Sequence, residues 1–106
     1  MNGRIRNEVD GDAGIARIIL DRPERRNALS RALVEELKDS LALADADERI
    51  RVAAISGAGP DFCAGADLEE VRDAVESGVL SSLEDAESLG ELFLLIRRMD
   101  TPVVAL

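Results

Sequence analysis

A chain of 106 residues is enough for one small domain, and its 46% hydrophobic share is ordinary for a globular protein. It has no histidine and a single cysteine, which excludes Ser-His and Cys-His catalytic pairs, histidine-ligated metal sites and an internal disulfide. The net charge of −9 argues against nucleic acid as a partner, and no apolar run approaches the ~20 residues that span a bilayer, so no membrane is expected either.

The N-terminus, Met1-Asn2-Gly3-Arg4-Ile5-Arg6, lacks the apolar region of a signal peptide, and a cytoplasmic protein is the expectation. Ile5, Asn7 and Val9 alternate with polar neighbours, as in a short strand. Asp10-Gly11-Asp12-Ala13-Gly14 is turn chemistry. Gly14 to Leu20 then reads as a second strand, with Ala16, Ile18 and Leu20 on one face, so the two form a β-hairpin. Pro23 ends that strand within the polar loop Asp21–Asn27.

Ser30 is placed to cap a helix whose apolar stripe is Val34, Leu37, Leu41 and Ala44, with Glu35 and Glu36 early enough to favour the helix dipole. Val52-Ala53-Ala54-Ile55 suits a strand buried on both faces, as in a parallel sheet. A short helix is expected from about Asp67, with a polar break at Glu76-Ser77-Gly78. A longer helix is expected from about Ser82 to Met99, with Leu83, Ala86, Leu89, Phe93, Ile96 and Met99 inward. Thr101 to Leu106 begins another buried strand. Ending on Val-Val-Ala-Leu leaves apolar residues uncovered, so an incomplete domain is expected.

Charge is uneven along the chain. Residues 1–31 hold seven arginines against five acids, net +2, while residues 32–106 carry net −11. The basic segment either meets an anionic ligand or consists of arginines solvated or paired with neighbouring acids.

The stretch from Ala53 to Leu68 leads a buried strand through Gly57-Ala58-Gly59-Pro60 and the small residues Cys63-Ala64-Gly65-Ala66 into a helix. Such a path gathers backbone N–H groups at one point, where they can hold an anion or an oxygen that becomes anionic during reaction. Gly65 also permits backbone angles closed to other residues. The alternative is an ordinary strand-to-helix connection. A dinucleotide fingerprint fails because Phe62 stands at the last glycine position, and no Gly-Lys-Ser/Thr follows to make a phosphate loop.

Three segments resemble the enoyl-CoA hydratase/isomerase (crotonase) family, in the family's order. Leu20-Asp21-Arg22-Pro23-Glu24-Arg25-Arg26-Asn27-Ala28-Leu29-Ser30 is similar to its L-N-R-P-x-x-x-N-A-L-S. Ile55 to Leu68 is similar to its T-G-x-G-x-x-F-x-A-G-x-D-L, and Met99 to Ala105 resembles the strand before its second oxyanion loop. The resemblance implies an α/β fold, the N-terminal portion of the crotonase-like ββα spiral, here incomplete over residues 1–106. It implies an acyl-CoA thioester as substrate, with coenzyme A entering as part of that substrate and no separate cofactor or metal. A homotrimer or hexamer is implied for the full-length form.

The resemblance further implies that the Ala66 N–H is one of two backbone donors that hold the thioester oxygen as it takes on enolate charge. Arg26, Ala28, Ala64, Gly65, Asp67 and Leu68 match ligand-pocket positions, and Arg25 and Arg26 become candidate partners for the CoA phosphates. Asp21 stands where the family usually has asparagine, and Glu69 where some members have lysine. The second donor and the proton-moving glutamates of the hydratases match no residue here. Glu69, Glu70, Asp73 and Glu76 read as a solvated helix face rather than paired acid–base carboxylates, Asp67 as a helix-start acid supporting the loop, and Cys63 as a small buried hydrophobe.

The sequence leaves two other functions open. One is a catalytically inactive acyl-CoA-binding or assembly fragment. The other is an unrelated nucleotide-binding domain, disfavoured by the failed glycine pattern. Faces of the spiral left uncovered predict that residues 1–106 alone are marginally stable or prone to aggregate.

Overall fold

The computed structural model describes residues 4–106, without the side chains of residues 79–82. Ile5–Asp10 (β1) and Ile15–Leu20 (β2) form the expected hairpin, in register from Ile5 opposite Leu20 to Asp10 opposite Ile15. The Asp10 carboxylate closes the turn by accepting from the N–H groups of Asp12 and Ala13, at 3.1 and 3.0 Å. Gly14 belongs to the turn rather than the strand, because its φ of +75° is left-handed, a conformation that favours glycine.

After β2 the chain crosses through a helix, Arg31–Ala46 (α1), into Val52–Gly57 (β3), which lies parallel to β2. Two further helices, Leu68–Ser77 (α2) and Val79–Arg98 (α3), lead to Val103–Ala105 (β4), parallel to β3. The sheet order is β1-β2-β3-β4. This places β3 between two parallel neighbours, which is why Ala53, Ala54 and Ile55 are buried in succession. The expected last strand forms as β4, paired with β3, and Val104 and Leu106 stay exposed, in keeping with the uncovered apolar ending.

The core lies between the sheet and α1. Ala16, Ile18 and Leu20 of β2 meet Val34, Leu37, Leu41 and Ala44 of α1, with Leu33 added from the same helix. Ser30 caps α1 as expected, its hydroxyl accepting from the Leu33 N–H at 3.1 Å. Glu35 and Glu36 lie beyond the first turn, which contains no acid, so their dipole role is not realised. Instead Glu35 pairs with Lys38 at 2.7 Å and accepts from the Ser88 hydroxyl.

The inward face of α3 differs from the expected one. Leu92 is its buried apolar residue and Ser88 is buried beside it, whereas Leu83 and Phe93 face outward and Ala86 is exposed along a cavity wall. Leu89, Ile96 and Met99 do pack on the core, together with Leu95. The helix also begins at Val79, before the expected start at Ser82, whose side chain lies outside the described residues. Apolar residues crowd positions 92–96, so spacing alone selects no unique face. The partner helix selects it: Lys38 of α1 donates to Ser88 and Glu91, at 3.1 and 3.0 Å. Among the described residues no helix is long and apolar enough to cross a membrane.

Candidate functional site

Two loops at the C-terminal ends of β2 and β3 build the site. The first makes a short 3-10 turn at Pro23–Arg25, and then Arg26 and Asn27 adopt left-handed conformations, φ 53° and 56°. Such angles are unfavourable for most side chains and persist only where the surroundings enforce them. Here the enforcing group is the Asn27 side chain, which is fully buried. Its Oδ1 accepts from the Arg22 N–H at 2.8 Å, closing its own loop. Its Nδ2 donates to the carbonyls of Ala58 and Asp61, at 3.0 and 2.7 Å, fastening the second loop to the first.

Gly57 lies directly under this clasp. A Cβ there would fall 2.3 Å from the Phe62 carbonyl oxygen and 2.7 Å from Asn27 Nδ2. The close approach of main chain to main chain therefore requires glycine.

Beyond the clasp the loops run side by side. The Ala64 N–H donates to the Arg26 carbonyl at 3.0 Å, the Leu29 N–H to that of Gly65 at 2.7 Å, and the Asp67 N–H to that of Leu29 at 3.0 Å. Leu29 and Ala66 thus form a parallel bridge. In such a bridge the residue flanked by the two bonds turns its own N–H and C=O to the opposite edge. The Ala66 N–H accordingly has no acceptor among the described residues, and Ala66 is exposed. Gly65 has φ +94°, with open space where a side chain would stand. Its N–H donates to Cys63 Sγ at 3.4 Å, so the half-buried thiol supports the loop as well as packing on the core.

Asp67 follows at once and caps α2. Its Oδ1 accepts from the N–H groups of Glu69 and Glu70, at 3.0 and 3.4 Å. Its Oδ2 accepts from Arg22 Nη2 at 3.2 Å, while Arg22 Nη1 donates to the Ala28 carbonyl at 2.7 Å. Arg25 Nη2 stands 3.5 Å from Asp67 and 2.6 Å from Glu69. Burial works to raise the Asp67 pKa, but the hydrogen bonds from Arg22 and the α2 backbone and the charges of Arg22 and Arg25 outweigh it and hold the carboxyl below its ordinary value.

An apolar cavity of about 300 Å³ opens beside Ala66. Leu29 and Val34, Val71, Ala74 and Val75 of α2, and Leu89 of α3 supply its apolar walls. Three carboxylates also border it, each engaged: Asp67 as described, Glu70 by the Arg31 N–H at 2.8 Å, and Asp85 by Arg31 Nη1 at 3.3 Å.

Of the residues expected at a site, Ala66 and Asp67 line this cavity. Arg26, Ala28, Ala64, Gly65 and Leu68 lie outside its walls, along the two joined loops; Ala28 is buried, and Leu68 is exposed. Arg26 pairs with Asp61 at 3.3 Å but stays 71% exposed, so its charge remains open to a further anion. Arg25 is neutralised by Glu69 and Asp67, and Arg4 and Arg6 pair with Glu24 and Asp21. Much of the N-terminal basic segment is thereby paired with acids. Glu69 and Glu70 are likewise tied down, while Asp73 and Glu76 are exposed on α2.

Sequence reasoning gave no side-chain role to Asn27 or Arg22, and gave Gly57 only a place in the glycine-rich turn after the strand. All three stand inside the motifs, but a motif gives residue types and not partners, and the Asn27 clasp joins positions 31 and 34 residues apart.

The family model described as enoyl-CoA hydratase/isomerase matches residues 10–106. The enoyl-CoA hydratase domain-containing protein 3, mitochondrial, of Danio rerio is 40% identical over 99 residues, covering 92% of this chain and 33% of that protein. The enoyl-CoA isomerase/hydratase fer4 of Mycosarcoma maydis is 35% identical over 100 residues, covering 87% of this chain and 35% of its own length. Among solved structures, an enoyl-CoA hydratase/isomerase from Xanthobacter autotrophicus Py2 superposes with a TM-score of 0.87 at 28% identity, over 99% of this chain and 38% of that one. The chain therefore spans about a third of the length of these curated relatives.

Proposed function

This chain belongs to the enoyl-CoA hydratase/isomerase family, and on that premise we propose that it binds an acyl-CoA thioester and polarises its carbonyl through the Ala66 N–H. The observation that carries this reading is the unpaired Ala66 amide at the edge of an apolar cavity. A fixed donor with no protein acceptor needs no rearrangement to meet a developing enolate oxygen, and beside apolar walls its hydrogen bond is stronger than in water. The cavity receives the acyl chain, and Gly65, lacking a side chain, lets the thioester approach the main chain. Arg26, on the adjoining loop outside the cavity walls, is 71% exposed and suited to a CoA phosphate.

In the complete reaction a second donor and proton-moving carboxylates act with Ala66. Hydration of a 2-enoyl-CoA and isomerisation through the same enolate both fit this division of labour. A second reading, an acyl-CoA-binding unit without proton transfer of its own, draws support from the engagement of all three carboxylates at the cavity.

Ala66→Pro removes the donor and tests the proposal. Calorimetric titration compares a 3-ketoacyl-CoA, which forms an enolate, with an S-alkyl-CoA of equal length lacking the carbonyl. The unmodified protein is expected to prefer the ketoacyl compound by about tenfold, as one hydrogen bond to a charged oxygen provides. The variant is expected to bind both equally. A variant that keeps the preference contradicts the assignment.

A further inference from the structure

The Asp67 carboxylate presents a difficulty. It stands one residue from the amide that is to hold an enolate oxygen, and its environment keeps it ionised. Two negative charges so close oppose each other, most strongly where apolar walls lower the dielectric. A carboxylate at that position works against the chemistry unless its field is cancelled.

The cancelling charge is present and largely shielded from solvent. Arg22 and Asp67 are ion-paired with side chains only 14% and 5% exposed, so the pair is poorly screened by solvent. Arg22 is held by a second bond, to the Ala28 carbonyl, which fixes its guanidinium independently of Asp67. Arg25 and Glu69 join this group at the start of α2, where the third acid, Glu70, is held by the Arg31 N–H at 2.8 Å.

Building on the reading of Ala66 as an enolate-binding amide, we propose that Arg22 is a charge-compensating residue, which permits enolate formation by neutralising Asp67 one position beyond that amide. Arg22 acts through Asp67 and does not touch the ligand. A merely structural ion pair contributes to folding and leaves the relative affinity for charged and uncharged ligands unaltered. A compensating pair makes that relative affinity follow the net charge of the group.

The test measures the ratio of affinities for a 3-ketoacyl-CoA enolate and an S-alkyl-CoA thioether in the unmodified chain, Arg22→Met, Asp67→Asn and the double variant. Asparagine keeps the capping acceptor at Asp67, so Asp67→Asn changes chiefly the charge. The ratio is expected to fall about tenfold in Arg22→Met, to rise in Asp67→Asn, and to return to the unmodified value in the double variant. A ratio unchanged in Arg22→Met, or lowered in Asp67→Asn, overturns the proposal while the Ala66 reading stands. If Arg22→Met does not fold by circular dichroism, the direction of change in Asp67→Asn decides alone. An unmodified chain without preference for the enolate marks failure of the Ala66 reading instead.

Discussion

Replacing Gly57 with alanine is expected to lower the unfolding free energy by about 3 kcal/mol or more, measured by urea denaturation. The added Cβ would lie 2.3 Å from the Phe62 carbonyl oxygen and 2.4 Å from that of Asp61, both backbone atoms that no side-chain rotation can move aside. Relief requires the second loop to shift outward, and the bonds from Asn27 Nδ2 to Ala58 and Asp61 then lengthen or break. Ketoacyl-CoA binding is expected to fail in the same variant, because the Leu29–Ala66 bridge depends on the same placement of the loop. A loss below about 1 kcal/mol contradicts the close-approach argument.

Asn27→Leu is expected to be of similar size, about 4 kcal/mol. It leaves the Arg22 N–H and two carbonyls without their partner, at roughly 1–3 kcal/mol for each group that stays dry. It also puts a bulky side chain at φ 56°, where asparagine is tolerated and leucine is strained. Water entering the loosened loop would reduce the loss, which sets the estimate below the full sum. The same denaturation experiment reads the effect, and an unchanged m-value shows that the unfolded reference is the same. Near-unmodified stability in Asn27→Leu would refute the clasp.

The hairpin, the Ser30 cap, the α1 stripe and the parallel β3 were legible because each depends on local chemistry. Asp10 and Gly14 specify a turn, Ser30 an N-cap, and three successive apolar residues a strand buried on both faces. The face of α3 was not legible: Leu92 and Phe93 are adjacent and both apolar, and the choice between them falls to Lys38 on another helix.

Within the site, the glycine-rich path and the cap at Asp67 could be read directly, and the resemblance supplied the role proposed for Ala66. The charges could not be apportioned. Arg22, Arg25 and Arg26 lie within five positions of one another, yet Arg22 is buried against Asp67, Arg25 is neutralised by Glu69, and Arg26 stays mainly in solvent. Composition treats the three as equivalent, whereas the fold gives them three different environments.

The most direct measurement is the ¹H–¹⁵N amide resonance of Ala66, followed in ¹⁵N-alanine-labelled protein during titration with a 3-ketoacyl-CoA and, separately, with the matching S-alkyl-CoA. A large downfield displacement of that proton with the ketoacyl compound alone is the predicted outcome, since only an enolate oxygen accepts from it strongly. An Ala66 signal that responds alike to both compounds, or to neither while they bind, would contradict the account.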